Sequence, residues 1–191
     1  MAAAIHAFLN QGFAATSIEQ VAASAGVSKV TVYSHFGDKR GLFTAAVEAE
    51  CNRMRDHFTI DNPGQGTVRE RLTAIGQAMV AFLSRPEMIQ FDRRIAAETE
   101  TDPEIGEVYL AAGPHRIKRG FVGLLRAMGE AGEVRIDDYE LAAEQFVSMC
   151  KGMGDLERRY GHCSEPARDQ ARIAAAVEVF CGAYMPDDGK L

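Results

Sequence analysis

Hydrogen-bonding side chains are concentrated in one short segment near the start of the chain. Residues 28–39 carry hydroxyl, phenol, imidazole and ammonium groups: Ser28, Lys29, Thr31, Tyr33, Ser34, His35 and Lys39. These groups donate and accept hydrogen bonds, and the two lysines add positive charge. The segment lacks the paired carboxylates of a general acid–base site. It therefore favours recognition of a polar, anionic surface over covalent catalysis.

The spacing of these residues predicts a short helix with two different faces. Val32 and Phe36 lie about 40° apart around a helix, so they form a buried seam. Lys29 projects from the first turn. The residues pointing away from the seam are Val30, Thr31, Tyr33 and Ser34. A small outer face near a helix N-terminus is the geometry of a recognition helix in the DNA major groove. Threonine and valine methyl groups contact thymine there, and hydroxyl groups and lysine bond base edges or phosphates.

A second short helix is predicted immediately before this one. Thr16 to Glu19 reads as a capping box, in which Thr16 accepts from the backbone N–H of Glu19 and Glu19 reaches back. The residues predicted to face inward are Ile18, Val21, Ala22 and Ala25. This helix would pack against the recognition helix.

The connection between the two helices is predicted to be tight. Gly26 permits a left-handed backbone that ends the first helix. Val27 would fill the turn, and Ser28 would cap the second helix. Ala22, four residues before Gly26, leaves room for close approach of the two helices, as a helix-turn-helix requires.

As a set, these residues resemble the DNA-binding domain of TetR-family transcriptional regulators. The matching elements are Gly12-Phe13, Thr16-Ser17, Ile18, Val21-Ala22, Ala25 to Lys29, Thr31, Tyr33, His35-Phe36, Lys39 and Leu42-Phe43. The resemblance implies an all-α fold with an N-terminal three-helix helix-turn-helix domain, which we place at residues 1–45. A C-terminal helical domain for ligand binding and dimerisation would span residues 46–191.

The resemblance also implies roles for individual residues. Those expected to face the groove are Lys29, Val30, Thr31, Tyr33 and Ser34. Those expected to meet phosphates are Thr16, Ser17, Tyr33, His35 and Lys39, with Ser28 completing the predicted DNA-binding set. Helix N-termini and lysine side chains both favour phosphate.

The chain departs from the family pattern at three places. Val30 stands where glycine is common, and Val32 where leucine is common. The family usually begins with a basic arm, whereas here no basic residue except His6 precedes Lys29. Either the arm is absent or the start lies elsewhere.

Residues 95–152 resemble the C-terminal domain of the AefR-like branch of the family. The markers are Glu98, Pro103, Gly113-Pro114, the turn at Gly132-Glu133 and the run Asp138 to Gly152. The resemblance implies that this half binds a small effector. It also implies a homodimer in which helices near 139–153 and 167–184 form a four-helix bundle with their twins.

Apolar residues at helical spacing are candidates for the effector pocket. They are Phe82, Met88, Phe91, Tyr109, Phe121, Phe146, Met149 and Met153. Flexible methionines suit an adaptable cavity, but each residue also fits plain core packing. Candidate polar anchors are Glu98, Tyr109, His115 and Arg116, which could equally be surface or helix-capping residues. Arg158-Arg159 reads as a solvated face or a dimer edge.

Composition bounds the remaining function classes. The chain has 191 residues, of which 47% are hydrophobic and 25% charged, and a net charge of −6. Overall acidity argues against coating nucleic acid by bulk charge but allows a local basic site. No catalytic motif is present, so we expect a protein that is not an enzyme and that needs no cofactor or metal. The four cysteines read as reduced thiols in a cytoplasmic protein.

Two further expectations follow from the chain as a whole. No apolar run approaches the ~18 residues of a membrane span, and the first residues lack the basic region of a signal peptide.

The alternative function is a helical ligand-binding or interaction protein with impaired DNA binding. Residues 28–40 argue against it, because they carry three basic residues and one acid in an acidic chain.

The periodicity of apolar residues predicts ten helices and no strands. Their predicted ranges are 2–11, 18–25, 29–36, 39–58, 67–84, 87–98, 104–112, 114–130, 139–153 and 167–184. The breaks between the later helices carry glycine or proline.

Overall fold

The computed structural model describes residues 1–57, 66–162 and 165–186, and this part of the chain is all helical. The ten helices there are α1 (Ala2–Ala15), α2 (Ile18–Ala25), α3 (Lys29–Phe36), α4 (Lys39–His57), α5 (Val68–Leu83), α6 (Pro86–Glu98), α7 (Pro103–Ala112), α8 (Pro114–Glu130), α9 (Tyr139–Arg159) and α10 (Pro166–Tyr184). The predicted all-α fold is confirmed. The predicted end of the fourth helix at residue 58 lies outside the described residues.

Prolines begin several helices instead of separating them. Pro86, Pro103 and Pro166 stand in the first turn of α6, α7 and α10. Proline suits this position because its fixed φ is helical and its missing N–H would have no partner there. Three of the predicted starts, at 87, 104 and 167, were therefore one residue late.

Two helices are longer than predicted because each contains a glycine with non-helical backbone angles. α1 continues to Ala15 past Gly12, whose φ is 82°. α9 continues to Arg159 past Gly152, whose φ is 47°. Glycine adopts such angles without a side-chain clash, so the chain turns at these points and resumes the helix.

The chain forms two compact units. The first comprises Met1–Arg53 and Arg85–Arg116, which include α1–α3, most of α4, α6 and α7. Aromatic rings fill its core: Phe43 is fully buried and stands edge-on to Phe8, with ring centroids 5.1 Å apart. Phe91 packs against both Phe43 and Tyr109. The predicted functional boundary at residue 45 is a separate matter and stays a prediction.

The second unit comprises Met54–Ser84 and Ile117–Leu191. Its described helices are α5, α9, α10 and nearly all of α8. The core centres on Phe146, which is fully buried between Phe121 and Phe180 at centroid distances of 5.4 Å each. Thr67 and Glu70 form a capping box that starts α5, and Asp138 caps α9 by accepting from the Leu141 N–H.

Buried thiols occur in both units. Cys51, Cys150 and Cys181 are free and buried, as expected for reduced packing residues. Burial raises the pKa of the Cys51 thiol to about 11 and that of Cys150 to about 12. The fourth cysteine, Cys163, lies outside the described residues. Among the helices that the structure describes, none is long and apolar enough to cross a membrane.

Candidate DNA-binding surface

The start of α2 differs from the predicted capping box by one residue. Ser17, not Thr16, is the N-cap, and its Oγ accepts from the Gln20 N–H at 3.4 Å. Thr16 is 2% exposed, and its hydroxyl donates to the Gly12 carbonyl oxygen at 2.7 Å. The predicted phosphate contact of Thr16 is therefore replaced by a structural role, because its hydroxyl is turned inward. Ser17 is half-buried, and its hydroxyl donates to Glu19 Oε2 at 2.8 Å, so its phosphate contact stays a prediction.

The turn between α2 and α3 has the predicted backbone but a more open surface. Gly26 is left-handed, with φ 68°, and the Val27 N–H donates to the Ala22 carbonyl oxygen at 3.0 Å. Ser28 caps α3 by accepting from the Thr31 N–H at 3.1 Å. The predictions that Ala25 faces inward and that Val27 fills the turn were wrong, since both are exposed. Ala22, predicted to face inward, is buried.

The outer face of α3 is open along its length. Val32 is buried and Phe36 half-buried, so the predicted seam exists but is less deeply covered at its far end. The other predicted contact residues are all exposed: Ser28, Lys29, Val30, Thr31, Tyr33, Ser34 and His35. Val30 has 76% of its surface exposed, and Tyr33 has 41%. The Thr31 and Ser28 hydroxyls are 2.8 Å apart, so they share a hydrogen bond.

Lys29 is held by an acidic neighbour on α2. Its ammonium donates to the Glu19 carboxylate and lies 5.5 Å from the centre of the Tyr33 ring. The hydrogen bond from Lys29 lowers the pKa of Glu19 to about 2, and Glu19 in turn raises the pKa of Lys29. A lowered carboxyl pKa contributes stability that is present above its ordinary value of 4.5 and is lost as the pH falls through about 2. The pair is therefore ionised throughout the physiological range.

We expect Glu19→Gln to tighten binding to all duplex sequences. In the predicted complex, DNA must displace Glu19 from Lys29 in the wild type, whereas in the variant the positive charge of Lys29 is not neutralised by Glu19. The slope of log affinity against log salt should become steeper by up to about one per subunit. Fluorescence anisotropy across a salt series measures both quantities. Glu107→Gln removes the same charge from α7 and serves as control; an equal gain in that variant would assign the effect to net charge.

Lys39 has a structural partner as well as a predicted phosphate. Its ammonium donates to the Ala14 carbonyl oxygen at 2.9 Å and lies 4.7 Å from the centre of the Phe13 ring. Partial burial lowers the pKa of Lys39. A lysine ammonium carries three donors, so contact with one carbonyl leaves two for a phosphate. The predicted phosphate contact of Lys39 thus stays compatible with its position.

The end of α1 is held by α6 through contacts that the sequence did not reveal. The Glu98 carboxylate accepts from the N–H groups of Phe13 and Ala14, each at 3.1 Å. Arg94, one turn earlier on α6, donates to the Leu9 carbonyl oxygen at 2.8 Å. Glu98 was expected among the candidate ligand anchors, and its observed partners are instead backbone groups of α1. The sequence can indicate a break at Gly12. It does not indicate which residue accepts the hydrogen bonds of the N–H groups that the break exposes.

Other charged candidates also have structural partners. Arg116 pairs with Glu48 at 3.0 Å and donates to Asn52 at 3.2 Å. Arg158 is buried and pairs with Asp169 at 2.9 Å, so the prediction of a solvated or edge position was wrong for it. Within residues 1–57, 66–162 and 165–186, no group of acidic, histidine and cysteine side chains is placed to hold a metal ion.

The predicted effector residues are divided between the two compact units. Met88, Phe91 and Tyr109 belong to the first unit, and Phe82, Phe121, Phe146 and Met149 pack in or against the core of the second. Met153 is 61% exposed, contrary to its predicted place in a pocket wall. The helical phase used to place it inward does not continue past the break at Gly152.

A small apolar cavity lies within the first unit. Its volume is about 20 Å³, and its lining includes Met88, Phe91, Tyr109 and Glu50. A space of this size holds a water molecule but not an organic ligand. Glu50 is buried and pairs with Arg53 at 2.9 Å and with Arg85. As it stands, the cavity is not a ligand pocket.

The exposed face of α3, its capped N-terminus and its tight turn from α2 define a helix-turn-helix DNA-binding protein. Two family models match the chain: bacterial regulatory proteins of the tetR family over residues 1–46, and the AefR-like transcriptional repressor C-terminal domain over residues 70–186. The chain belongs to the TetR family of transcriptional regulators, with an AefR-like C-terminal domain. It is a DNA-binding regulator and not an enzyme.

Known proteins resemble the chain over nearly its full length. The HTH-type transcriptional regulator BetI of Rhizobium meliloti (strain 1021) is 27% identical over 190 residues, which cover 98% of this chain and 88% of BetI. A TetR-family regulator from Mesorhizobium loti MAFF303099 has a TM-score of 0.80 at 25% identity, covering 97% of this chain and 94% of that one. The flavonoid-responsive regulator FrrA has a TM-score of 0.77 at 28% identity, covering 97% and 95%.

Proposed function

We propose that the protein is a cytoplasmic repressor that binds a palindromic operator as a homodimer and leaves it when a small, largely apolar effector binds. The observation that carries this proposal is the exposed face of α3. Val30, Thr31 and Tyr33 stand outward from a helix that is anchored by Val32 and capped by Ser28. Such a helix reaches base edges with its N-terminal residues.

Exposed large apolar side chains along α9 and α10 support the homodimer. They are Leu141, Met153, Leu156 and Val179 on the helices and Tyr160 directly after α9, with exposed fractions between 46% and 79%. Exposed apolar side chains in such numbers are typical of contact surfaces between proteins. In the proposed dimer, two copies of α3 would lie about 34–36 Å apart, one turn of the duplex, so that each enters a successive major groove.

The effector part of the proposal rests on similarity and on linkage. FrrA is responsive to flavonoids, which are small aromatic molecules, and it is 28% identical to this chain. An effector that favours a different spacing of the α3 helices would weaken operator binding, typically by ~1–3 kcal/mol, and operator would weaken effector binding equally. α4, which begins directly after α3, is the proposed lever. A tightly bound effector that leaves operator affinity unchanged would contradict this part.

Thr31→Ala tests the assignment of α3 to base reading. The variant should lose about 1–3 kcal/mol of binding to the operator and nothing at random duplex. The Ser28 cap should survive, because Ser28 accepts from the backbone N–H of residue 31, which alanine keeps. Anisotropy titrations on both duplexes measure the difference. Thr73→Ala makes the same change on α5 as control; equal losses of Thr31→Ala on operator and random DNA would contradict base reading.

A further inference from the structure

Residues 12–16 form a short connection between the main part of α1 and the start of α2. At Gly12 the backbone takes φ 82°, where glycine is favoured, and a side chain at this position would overlap the Glu98 carboxylate. The turn that follows begins with the N–H groups of Phe13 and Ala14. Such N–H groups at the start of a helical turn have no carbonyl partner within the helix.

The Glu98 carboxylate supplies those partners from 84 and 85 residues away. One oxygen, Oε2, accepts both N–H groups at 3.1 Å. A carboxylate that accepts backbone N–H groups makes the stronger, charge-assisted kind of hydrogen bond. Glu98 thus acts on α1 as a capping residue, although it lies on α6 and within the segment matched by the C-terminal family model.

The same connection is held on its carbonyl side by residues of the DNA-binding region. Lys39 donates to the Ala14 carbonyl oxygen at 2.9 Å, and Thr16 donates to that of Gly12 at 2.7 Å. Ser17, the N-cap of α2, follows directly in the chain. A shift of the connection would therefore move Ser17 and Lys39, both predicted phosphate contacts. It would also move α2 and, with it, α3, which packs on α2.

We propose that Glu98 is a positioning residue for DNA binding. It touches no DNA; it fixes the connection from which α2 starts and against which Lys39 rests. The proposal relies on the proposed contact of α2, α3 and Lys39 with the operator. Glu98 would thus influence operator binding although it lies more than fifty positions beyond the helix-turn-helix sequence.

Two variants separate a role that depends on the length of this side chain from one that depends on its charge. Glu98→Asp keeps the charge but shortens the side chain by one methylene, so that it no longer reaches both N–H groups. Glu98→Gln loses the charge but keeps an acceptor oxygen at the same reach. If Glu98 positions the connection, the aspartate variant is the more damaged. If its charge alone matters, aspartate behaves as wild type, and glutamine binds all DNA more tightly through reduced repulsion.

The experiment measures operator and random-duplex affinity for wild type, Glu98→Asp, Glu98→Gln and the control Glu100→Asp. Glu100 is an exposed acid directly after α6. Active protein is counted by stoichiometric titration, well below each unfolding temperature. We expect Glu98→Asp to lose about tenfold in operator affinity with unchanged random binding, Glu98→Gln to retain most of the wild-type affinity, and Glu100→Asp to match wild type.

Each other outcome has a definite meaning. Folded Glu98→Asp with wild-type operator affinity would overturn the positioning role and leave a purely structural one. If Glu98→Asp does not fold, Glu98→Gln decides: tighter binding to both duplexes overturns the proposal, and specific binding no tighter than wild type supports it. If wild type itself prefers no operator, the proposed function fails, and the positioning role fails with it.

Discussion

Met153→Glu/Leu156→Glu is expected to be a monomer that has lost specific DNA binding. Both side chains are exposed on the last turns of α9, at 61% and 46% of their surface, and carboxylates there would be desolvated against a like-charged twin. A monomer engages one half-site and loses the linked second contact. Because linkage of two modules raises affinity by about 10²–10⁴, operator affinity should fall by a similar factor.

Light scattering and anisotropy on one preparation measure this prediction together. Leu110→Glu is the matched control, because Leu110 is a 43% exposed leucine on α7 in the first unit. It should stay dimeric and bind operator as wild type does. A double variant that remains a dimer would place the interface elsewhere. A monomeric variant with full operator affinity would contradict the two-half-site model, although the position assigned to the dimer interface would still hold.

Phe146→Ala is expected to lower the free energy of unfolding by about 3–5 kcal/mol. Phe146 is fully buried on α9, and its ring is the centre of the aromatic chain in the second unit, between Phe121 and Phe180. Removing the ring loses the favourable free energy of transferring it from water. It also loses the van der Waals contacts with Phe121 and Phe180, because these rings cannot move to fill the cavity.

Urea unfolding at one fixed protein concentration measures this change, since dimer stability depends on concentration. Ser148→Ala, an exposed change on the same helix, should alter stability by less than about 0.5 kcal/mol. Phe146 is also a predicted effector residue. If Phe146→Ala lowers the free energy of unfolding by well below 2 kcal/mol, the surrounding side chains must be able to fill the space that the ring leaves. Such adaptable packing would be expected beside a ligand pocket.

The helix bounds could be predicted closely because the signals for them are local. Gly26 ended α2 and Ser28 capped α3 as the sequence indicated, since both act on backbone groups within a few residues. The misassigned N-cap has a local cause too. Thr16 and Ser17 are adjacent residues of similar capping preference, and the break at Gly12 provides a carbonyl that draws the Thr16 hydroxyl inward.

The long-range contacts could not be predicted in the same way. Glu98 meets Phe13 and Ala14 across more than eighty residues, and the sequence around it carries no sign of that partner. Likewise, helical spacing marked Met88 and Phe146 as inward-facing, which both are, but not that they belong to different compact units. Periodicity reports which face of a helix is buried; it does not report which helix covers that face.

The most direct test of specific DNA recognition is binding of the wild-type protein to the DNA upstream of its own gene. Fluorescence anisotropy compares that DNA with a random duplex at about 50 and about 200 mM salt, the range over which phosphate contacts weaken strongly. We expect saturable binding roughly 10³-fold tighter than to the random duplex, or tighter still, at both salt concentrations. Equally weak binding to both duplexes, disappearing at the higher salt, would contradict it and favour a helical ligand-binding protein with impaired DNA binding.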